Sequence, residues 1–119
     1  MSIGNNITDE HTKLHEVGLD FLNSKLFEYA VECYDKILKK DPNDYVALYN
    51  KGLALDELGN FKDANQYYTL TLEKTDYKDI DALLGKGVTH GKLDEIEQAT
   101  ECFDKLIELE PNNILVWHY

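Results

Sequence analysis

Four histidines are the side chains best suited to chemistry in this 119-residue sequence. His11 and His15 are four positions apart, so on a helix they share one face at a spacing that can chelate zinc. Their segment, HTKLH, lacks the glutamate of an HExxH motif, and the sequence pairs no third ligand with them. His90 lies at helical spacing from apolar residues, on the core face of a predicted helix. This position predicts a partly buried, hydrogen-bonded histidine. We therefore expect no metal site and no cofactor.

No other segment predicts an active site. Gly85 and Gly87 lie inside a helical pattern rather than in a phosphate-binding loop, and no Ser-His-Asp or Cys-His arrangement has a supporting motif. Acidic pairs such as Asp56 and Glu57 fall at predicted turns, where charge is solvated. We expect a protein that is not an enzyme.

The charge of the chain limits its partners. The net charge is −11, from 23 acidic residues and 12 lysines, with no arginine. Clustered lysine and arginine bind nucleic acid, so this composition argues against such a partner and favours a basic or polar protein over an acidic one. Apolar runs are far shorter than the ~20 residues that span a membrane, and the first residues show no secretory pattern. The expected location is the cytoplasm, with no membrane partner.

A pattern of large and small residues occurs three times, with steps of 34 and then 35 residues. The recurring set is Gly18, Ala30, Tyr34 and Pro42, then Gly52, Ala64, Tyr68 and Asp76, then Gly87, Ala99, Phe103 and Pro111. Apolar residues at i, i+3, i+4 and i+7 indicate two helices in each repeat. Glycine and alanine are expected where the two helices cross closely, which makes each repeat a helical hairpin that must stack on its neighbours.

These columns resemble the tetratricopeptide repeat, over residues Thr12 to Asn113. The resemblance implies an all-α, right-handed superhelical array of antiparallel helix hairpins, with three repeats and the start of a fourth. The expected divisions are a flexible leader at 1–8, repeats at 9–44, 45–79 and 80–113, and a truncated fourth repeat or capping helix at 114–119. Cys33 and Cys102 are equivalent positions two repeats apart, too distant for a disulfide, so both are expected to be free thiols.

Repeat 3 and the segment before it depart from the pattern. Residues 75–79 lack the proline of the other terminators and are one residue longer, so we expect a looser junction between repeats 2 and 3. The first helix of repeat 3 has two extra glycines: Gly91 is expected to end it early, and Gly85 either leaves space for a ligand backbone or lets the helix fray. Asp94 and Glu97 are placed to cap the second helix.

The first helices of the repeats carry an additional apolar stripe beside the core face. By resemblance these helices line the concave surface, where the stripe would form a groove for a peptide or a partner helix. The alternative is that the stripe only thickens the core between repeats. The residues predicted to line or edge the groove are His15, Leu19, Leu22, Tyr49, Asn50, Leu53, Asp56, Leu84, Val88 and Lys92. We expect a non-catalytic scaffold for protein interaction.

One known use of the family is not expected here. Tetratricopeptide co-chaperones hold the terminal carboxylate of heat-shock chaperones with lysine, arginine and asparagine side chains on the three first helices. The corresponding positions in this chain are His15, Leu19, Asn50, Asp81 and Gly85. Only Asn50 matches, and Asp81 would repel a carboxylate, so no binding of an acidic chaperone tail is predicted.

A second hypothesis concerns the C-terminal end. Ile114, Leu115 and Trp117 repeat the start of a first helix and then stop, which would leave an apolar end. The sequence is then either a piece of a longer array or a structural segment that self-assembles into homo-oligomers through that end. This is the alternative to partner binding in the groove.

Overall fold

The computed structural model describes residues 3–111, with side chains from residue 10 onward. This range is all helical and has no strand. Its helices are α1 (Ile3–Asn23), α2 (Phe27–Lys40), α3 (Tyr45–Glu57), α4 (Phe61–Lys74), α5 (Ile80–Lys92) and α6 (Ile96–Leu109). Short turns join them into three hairpins that stack in chain order, giving overall dimensions of 52 × 26 × 22 Å. The predicted all-α array of helix hairpins is confirmed. No described helix is long and apolar enough to cross a membrane.

The aromatic residue of each second helix packs on the glycine of its own hairpin. A Cβ added to Gly18 would lie 2.9 Å from the Tyr34 ring, and one added to Gly52 would lie 2.9 Å from the Tyr68 ring. Gly87 has the same relation to Phe103, at 2.9 Å. These close approaches explain the glycine column, because any side chain would displace a packed ring. The alanines of the crossing column are all buried: Ala30, Ala64 and Ala99.

The core is continuous across the hairpins. One buried cluster joins Tyr34 and Ile37 of α2 to Ala47 and Ala54 of α3. Another joins the end of α4 to the third hairpin through Leu72, Ala82, Leu83, Cys102 and Leu106. Each hairpin therefore buries apolar surface against its neighbour, as a stacked repeat array requires. Cys33 and Cys102 are both buried free thiols, as predicted, and burial raises the pKa of each.

Two helix starts are capped by aspartate. Asp44 accepts a hydrogen bond from the Ala47 amide at 3.1 Å, and Asp79 accepts one from the Ala82 amide at 2.9 Å. The predicted Asp94–Glu97 capping pair is wrong, since Glu95 is the N-cap of α6 and makes no capping hydrogen bond through its side chain.

Asp94 instead has a φ of 65°, in the left-handed region that the tight turn requires. Lys25 and Gly59 occupy the same turn position in the other hairpins, with φ of 62° and 82°.

Two expected helix ends are also corrected. α1 begins at Ile3, so the segment 1–8, expected as a flexible leader, is helical from residue 3. No proline interrupts this segment, and each residue added to an existing helix gains one backbone hydrogen bond. Gly91 does not end α5, which continues to Lys92 and is capped by Leu93. The chain leaves the helix at Asp94, where the left-handed residue stands.

The longer terminator of repeat 2 does not loosen the junction that follows it. Asp76 and Tyr77 both adopt left-handed φ, of 55° and 59°, which absorbs the extra residue. Across the junction, Asn65 Nδ2 donates to the Lys86 carbonyl at 3.1 Å and to Thr89 Oγ1 at 2.9 Å. The expectation of a looser junction is wrong, because a polar side chain ties α4 to α5 at a partly buried position.

Candidate binding groove on the first helices

A groove runs along the first helices, between α1 and α3. It consists of two adjoining cavities of about 460 and 420 Å³ that share Leu19 and Asn50. We call it the α1–α3 groove. Its first cavity is lined by His11, Thr12, His15, Glu16, Leu19, Asp44, Val46 and Asn50. Its second is lined by Leu19, Leu22, Asn23, Lys25, Phe27, Asn50, Leu53 and Glu57.

Two histidines and an aspartate meet at the N-terminal end of the groove. His11 Nε2 lies 3.0 Å from Asp44 Oδ2, and His15 Nε2 lies 2.8 Å from the same oxygen. The side chain of Asp44 is 11% exposed. Burial raises the pKa of Asp44, but hydrogen bonds from His15, the Ala47 amide and His11 outweigh it, so the pKa is held below its usual value. The carboxylate is therefore the anionic centre of this cluster.

The sequence did not reveal Asp44 as the partner of these histidines. It is 29 residues beyond His15 and belongs to the next repeat. The expectation that no third group accompanies the pair is therefore wrong. The sequence signal that could have revealed this partner is the aspartate at the start of α3. Stacked hairpins bring the N-terminal parts of α1 and α3 together, so a residue that caps α3 lies near the histidines of α1.

Tyr34 lies beside the middle of the groove. The residue is fully buried, and its hydroxyl makes no hydrogen bond of ordinary geometry with the described residues. Burial raises the pKa of Tyr34 to about 12, and the Asn50 side chain, which is close enough to act on the hydroxyl as a hydrogen-bond partner, lowers this pKa. Its ring centroid is 6.3 Å from that of His15. Asn50 is thus a polar group shared by the two cavities of the groove, next to Leu19.

The C-terminal end of the groove is more apolar. Leu19 is 49% exposed although it is a large hydrophobic residue, and Leu22 and Leu53 beside it are half-buried. Lys25 and Glu57 stand at the far end with opposite charges. An exposed leucine between half-buried leucines is a surface that an apolar side chain of a ligand can cover.

The remaining predicted residues lie in a different setting between α3 and α5. Tyr49 and Leu84 pack against the core, and the Tyr49 ring centroid is 5.7 Å from that of Tyr68. Tyr49 and Leu84 therefore agree with the alternative interpretation, in which the apolar stripe thickens the core between repeats. Val88 is half-buried and lines neither cavity of the α1–α3 groove.

Asp56 and Lys92, predicted as groove edges, bind each other. Lys92 Nζ donates to Asp56 Oδ1 at 2.9 Å and lies 4.8 Å from the centroid of the Phe61 ring. The Tyr68 hydroxyl donates to Asp56 Oδ2 at 3.2 Å. These contacts connect α3, α4 and α5 across the concave face.

The space expected beside Gly85 is filled. A Cβ on this residue would lie 2.8 Å from the ring of Tyr68, so the glycine admits a packed ring from within the chain rather than a ligand backbone. His90 matches its prediction: it is half-buried, with Nδ1 2.9 Å from Glu95 Oε1. Ile114, Leu115 and Trp117, the residues predicted for self-association, lie outside the described residues.

Stacked helix hairpins with a groove on their first helices define a tandem helical-repeat protein. Two family models, each described as tetratricopeptide repeat, match residues 33–66 and 80–113, which together exceed half of the chain. The chain belongs to the tetratricopeptide repeat family.

Sequence relatives are much longer than this chain. The RNA polymerase II-associated protein 3 of Mus musculus is 30% identical over 102 residues, which are 84% of this chain and 15% of that protein. A UDP-N-acetylglucosamine–peptide N-acetylglucosaminyltransferase of Giardia intestinalis is 35% identical over 91 residues, 76% of this chain and 6% of the enzyme. The chain therefore spans a small part of the length of either relative.

Solved structures share the fold. The first TPR of Spaghetti (RPAP3), bound to the HSP90 peptide SRMEEVD, has a TM-score of 0.86 at 24% identity and covers 92% of this chain and 86% of that one. The second TPR domain of human RPAP3, in complex with the HSP70 peptide SGPTIEEVD, has a TM-score of 0.84 at 20% identity, with coverages of 92% and 90%. The Arabidopsis OM64 TPR domain has a TM-score of 0.85 at 24% identity, with the same coverages.

Proposed function

We propose that this chain is a non-catalytic interaction module that holds an extended peptide, or one face of a partner helix, in the α1–α3 groove. The observation that carries the proposal is the continuity of the two cavities around an exposed leucine, Leu19, and a polar amide, Asn50. Apolar contact would supply affinity there. The Asn50 side chain can both donate and accept hydrogen bonds, so it is suited to a peptide backbone.

The structural neighbours support a peptide as the class of ligand. Two of them are tetratricopeptide domains solved with bound peptides. This chain has the same fold, and its groove lies on the first helices. Peptide recognition by an apolar groove is also a recurrent use of helical surfaces in general.

The charges around the groove favour a basic or polar peptide over an acidic one. Glu16 and Asp44 line the first cavity, which has no lysine among its described lining residues. In the second cavity Glu57 offsets Lys25. The local field is therefore negative at the end where the histidines lie, and a basic ligand is attracted there.

The acidic chaperone tails seen in the neighbours are not proposed as ligands. At the five positions where co-chaperones carry their clamp, Asp81 is exposed and acidic, Leu19 is apolar, and Gly85 is covered by the Tyr68 ring. We predict no measurable heat when the peptide SRMEEVD is titrated into this chain. Micromolar affinity that is lost in an Asn50→Ala variant would contradict this prediction.

The groove itself is tested by paired substitutions of exposed apolar residues. Leu19 at its centre and Ile96 at the start of α6 are 49% and 61% exposed, so serine at either position changes stability little. The ligands are found by screening a peptide array, and the tightest binders are measured by calorimetry. Leu19→Ser should weaken binding about tenfold, the equivalent of one lost apolar contact, whereas Ile96→Ser should leave it unchanged.

Two results would contradict the proposal. One is equal weakening by Leu19→Ser and Ile96→Ser, which would place the ligand elsewhere. The other is a mass in solution that rises with concentration while no peptide binds, which would favour the alternative of self-assembly.

A further inference from the structure

We propose that His11, His15 and Asp44 form a binding site for one divalent transition-metal ion, with Zn²⁺ as the probe that defines it. The inference does not depend on peptide binding, because it rests on the three side chains themselves. All three potential ligand atoms lie within 4.8 Å of one another. Two imidazole nitrogens and one carboxylate oxygen are a donor set that zinc and its neighbours in the first transition row accept.

The spacing of the donors is close to what a metal ion requires. Ligands at 2.0–2.1 Å from a tetrahedral zinc ion are roughly 3.3 Å apart. In the structure His11 Nε2 and His15 Nε2 are 3.0 and 2.8 Å from Asp44 Oδ2. The two histidine–aspartate separations therefore need to increase by only a few tenths of an ångström. The two imidazole nitrogens lie within 4.8 Å of each other, and side-chain rotation has to bring this pair to the same spacing. Both histidine side chains are partly exposed, at 38% and 24%, which leaves room for that adjustment.

The carboxylate is held in place for this role. Asp44 Oδ1 accepts the Ala47 amide as the N-cap of α3, so Oδ2 remains the oxygen shared by the two imidazoles. The α1 helix fixes the histidines one turn apart on the same face. The three ligands thus come from two packed elements, which pre-organises the site before any ion arrives.

The surroundings favour a cation and leave a coordination position open. The three ligands line a cavity of about 460 Å³ together with Glu16, and no lysine is among its described lining residues. A water molecule or a ligand side chain can occupy the fourth position from this cavity. Proteins also hold zinc with three side-chain ligands and a water molecule or another ligand in the fourth position.

The equivalent positions in the next repeat have the capping aspartate but no histidine. Tyr45 and Tyr49 occupy the positions 34 residues after His11 and His15, and Asp79 caps α5 as Asp44 caps α3. This second location has an aspartate with the same capping hydrogen bond, but neither imidazole. It is therefore a control built into the chain.

Calorimetric titration of Zn²⁺ into the full chain, with any affinity tag removed, is the primary test. We expect binding that saturates at one ion per chain, and Co²⁺ in place of Zn²⁺ should give the visible absorption bands of a four-coordinate site. Each of His11→Ala, His15→Ala and Asp44→Asn should weaken binding by more than about tenfold. Asparagine caps helices as well as aspartate does, so Asp44→Asn separates loss of the metal ligand from loss of the fold.

Matched controls decide whether the three residues act together. Asp79→Asn removes the equivalent cap carboxylate, and His90→Ala removes a histidine that pairs with Glu95. Neither variant should change the Zn²⁺ affinity. The proposal is overturned if no binding saturates at one ion per chain, or if either histidine variant binds as tightly as the unaltered chain. It is equally overturned if Asp79→Asn weakens binding as much as Asp44→Asn does.

Discussion

The array has two junctions between neighbouring first helices, one between α1 and α3 and one between α3 and α5. Their surfaces differ. Between α1 and α3 the face is open as a groove, with Leu19 exposed and Asn50 on its surface. Between α3 and α5 Tyr49 packs into the core, and an ion pair joins Asp56 to Lys92. The segment before α5 is one residue longer than the segment before α3, but both junctions pack a second helix against the next first helix. We therefore attribute the difference between the two faces to a few side chains.

Equivalent positions show how the second junction closes. Gly85 takes the place that Asn50 has in the preceding repeat, which lets the Tyr68 ring pack against α5. Asp56 is equivalent to Leu22 of the first junction, and Lys92 is equivalent to Glu57. Asp56 and Lys92 form an ion pair, whereas a leucine and a glutamate cannot. A repeat array can therefore have an open groove at one junction and a closed face at the next, through substitutions that leave the repeat pattern intact.

The largest effect expected at the closed junction comes from Gly85→Ala. The added Cβ would lie 2.8 Å from the fully buried Tyr68 ring, whose hydroxyl is bonded to Asp56, so the ring cannot move away freely. We expect a loss of about 2 kcal/mol in the free energy of unfolding, measured by urea denaturation.

Gly91→Ala is the matched control in the same helix, because nothing lies within 4 Å of its added Cβ. It should gain about 0.5–1 kcal/mol from reduced backbone entropy in the unfolded chain. Equal changes at both glycines would mean that Gly85 is not a packing position.

A smaller difference in stability is expected between phenylalanine substitutions of two equivalent tyrosines, Tyr34 and Tyr68. Tyr68→Phe removes a hydroxyl that donates to the Asp56 carboxylate, which should cost about 1–1.5 kcal/mol of stability. Tyr34→Phe removes a buried hydroxyl that makes no hydrogen bond of ordinary geometry with the described residues and interacts with the Asn50 side chain, so stability should change little. Thermal unfolding of both variants checks the contrast. A larger loss for Tyr34→Phe would show that its hydroxyl is bonded in solution.

The smallest effect is expected for the ion pair at the rim. The Lys92 and Asp56 side chains are 43% and 15% exposed, so Lys92→Met should cost only about 0.5 kcal/mol. Its more informative consequence is geometric, because loss of the pair removes one of the contacts that seal the junction. A peptide that binds the α1–α3 groove should keep its affinity for this variant. Weakened binding would show that the groove extends past α3.

The repeat columns were sufficient to predict the hairpins. Glycine, alanine and aromatic residues at a period of 34–35 residues predicted two helices per repeat and their close crossing. These features depend on contacts within one hairpin, where helical spacing alone determines which side chains face each other. The environment of His90 was predicted on the same local basis.

The junctions were decided by the tertiary structure. The sequence placed ten residues along one continuous stripe, whereas the structure divides them between an open groove and a sealed interface. It also joins Asp44 to two histidines about thirty residues earlier, and fills the space beside Gly85 with a ring from the preceding hairpin. Such contacts depend on the distance and rotation between stacked helices, and on which side chain reaches across the gap. Helical periodicity specifies the face of a residue on its own helix, but the partner on that face is known only once the hairpins are stacked.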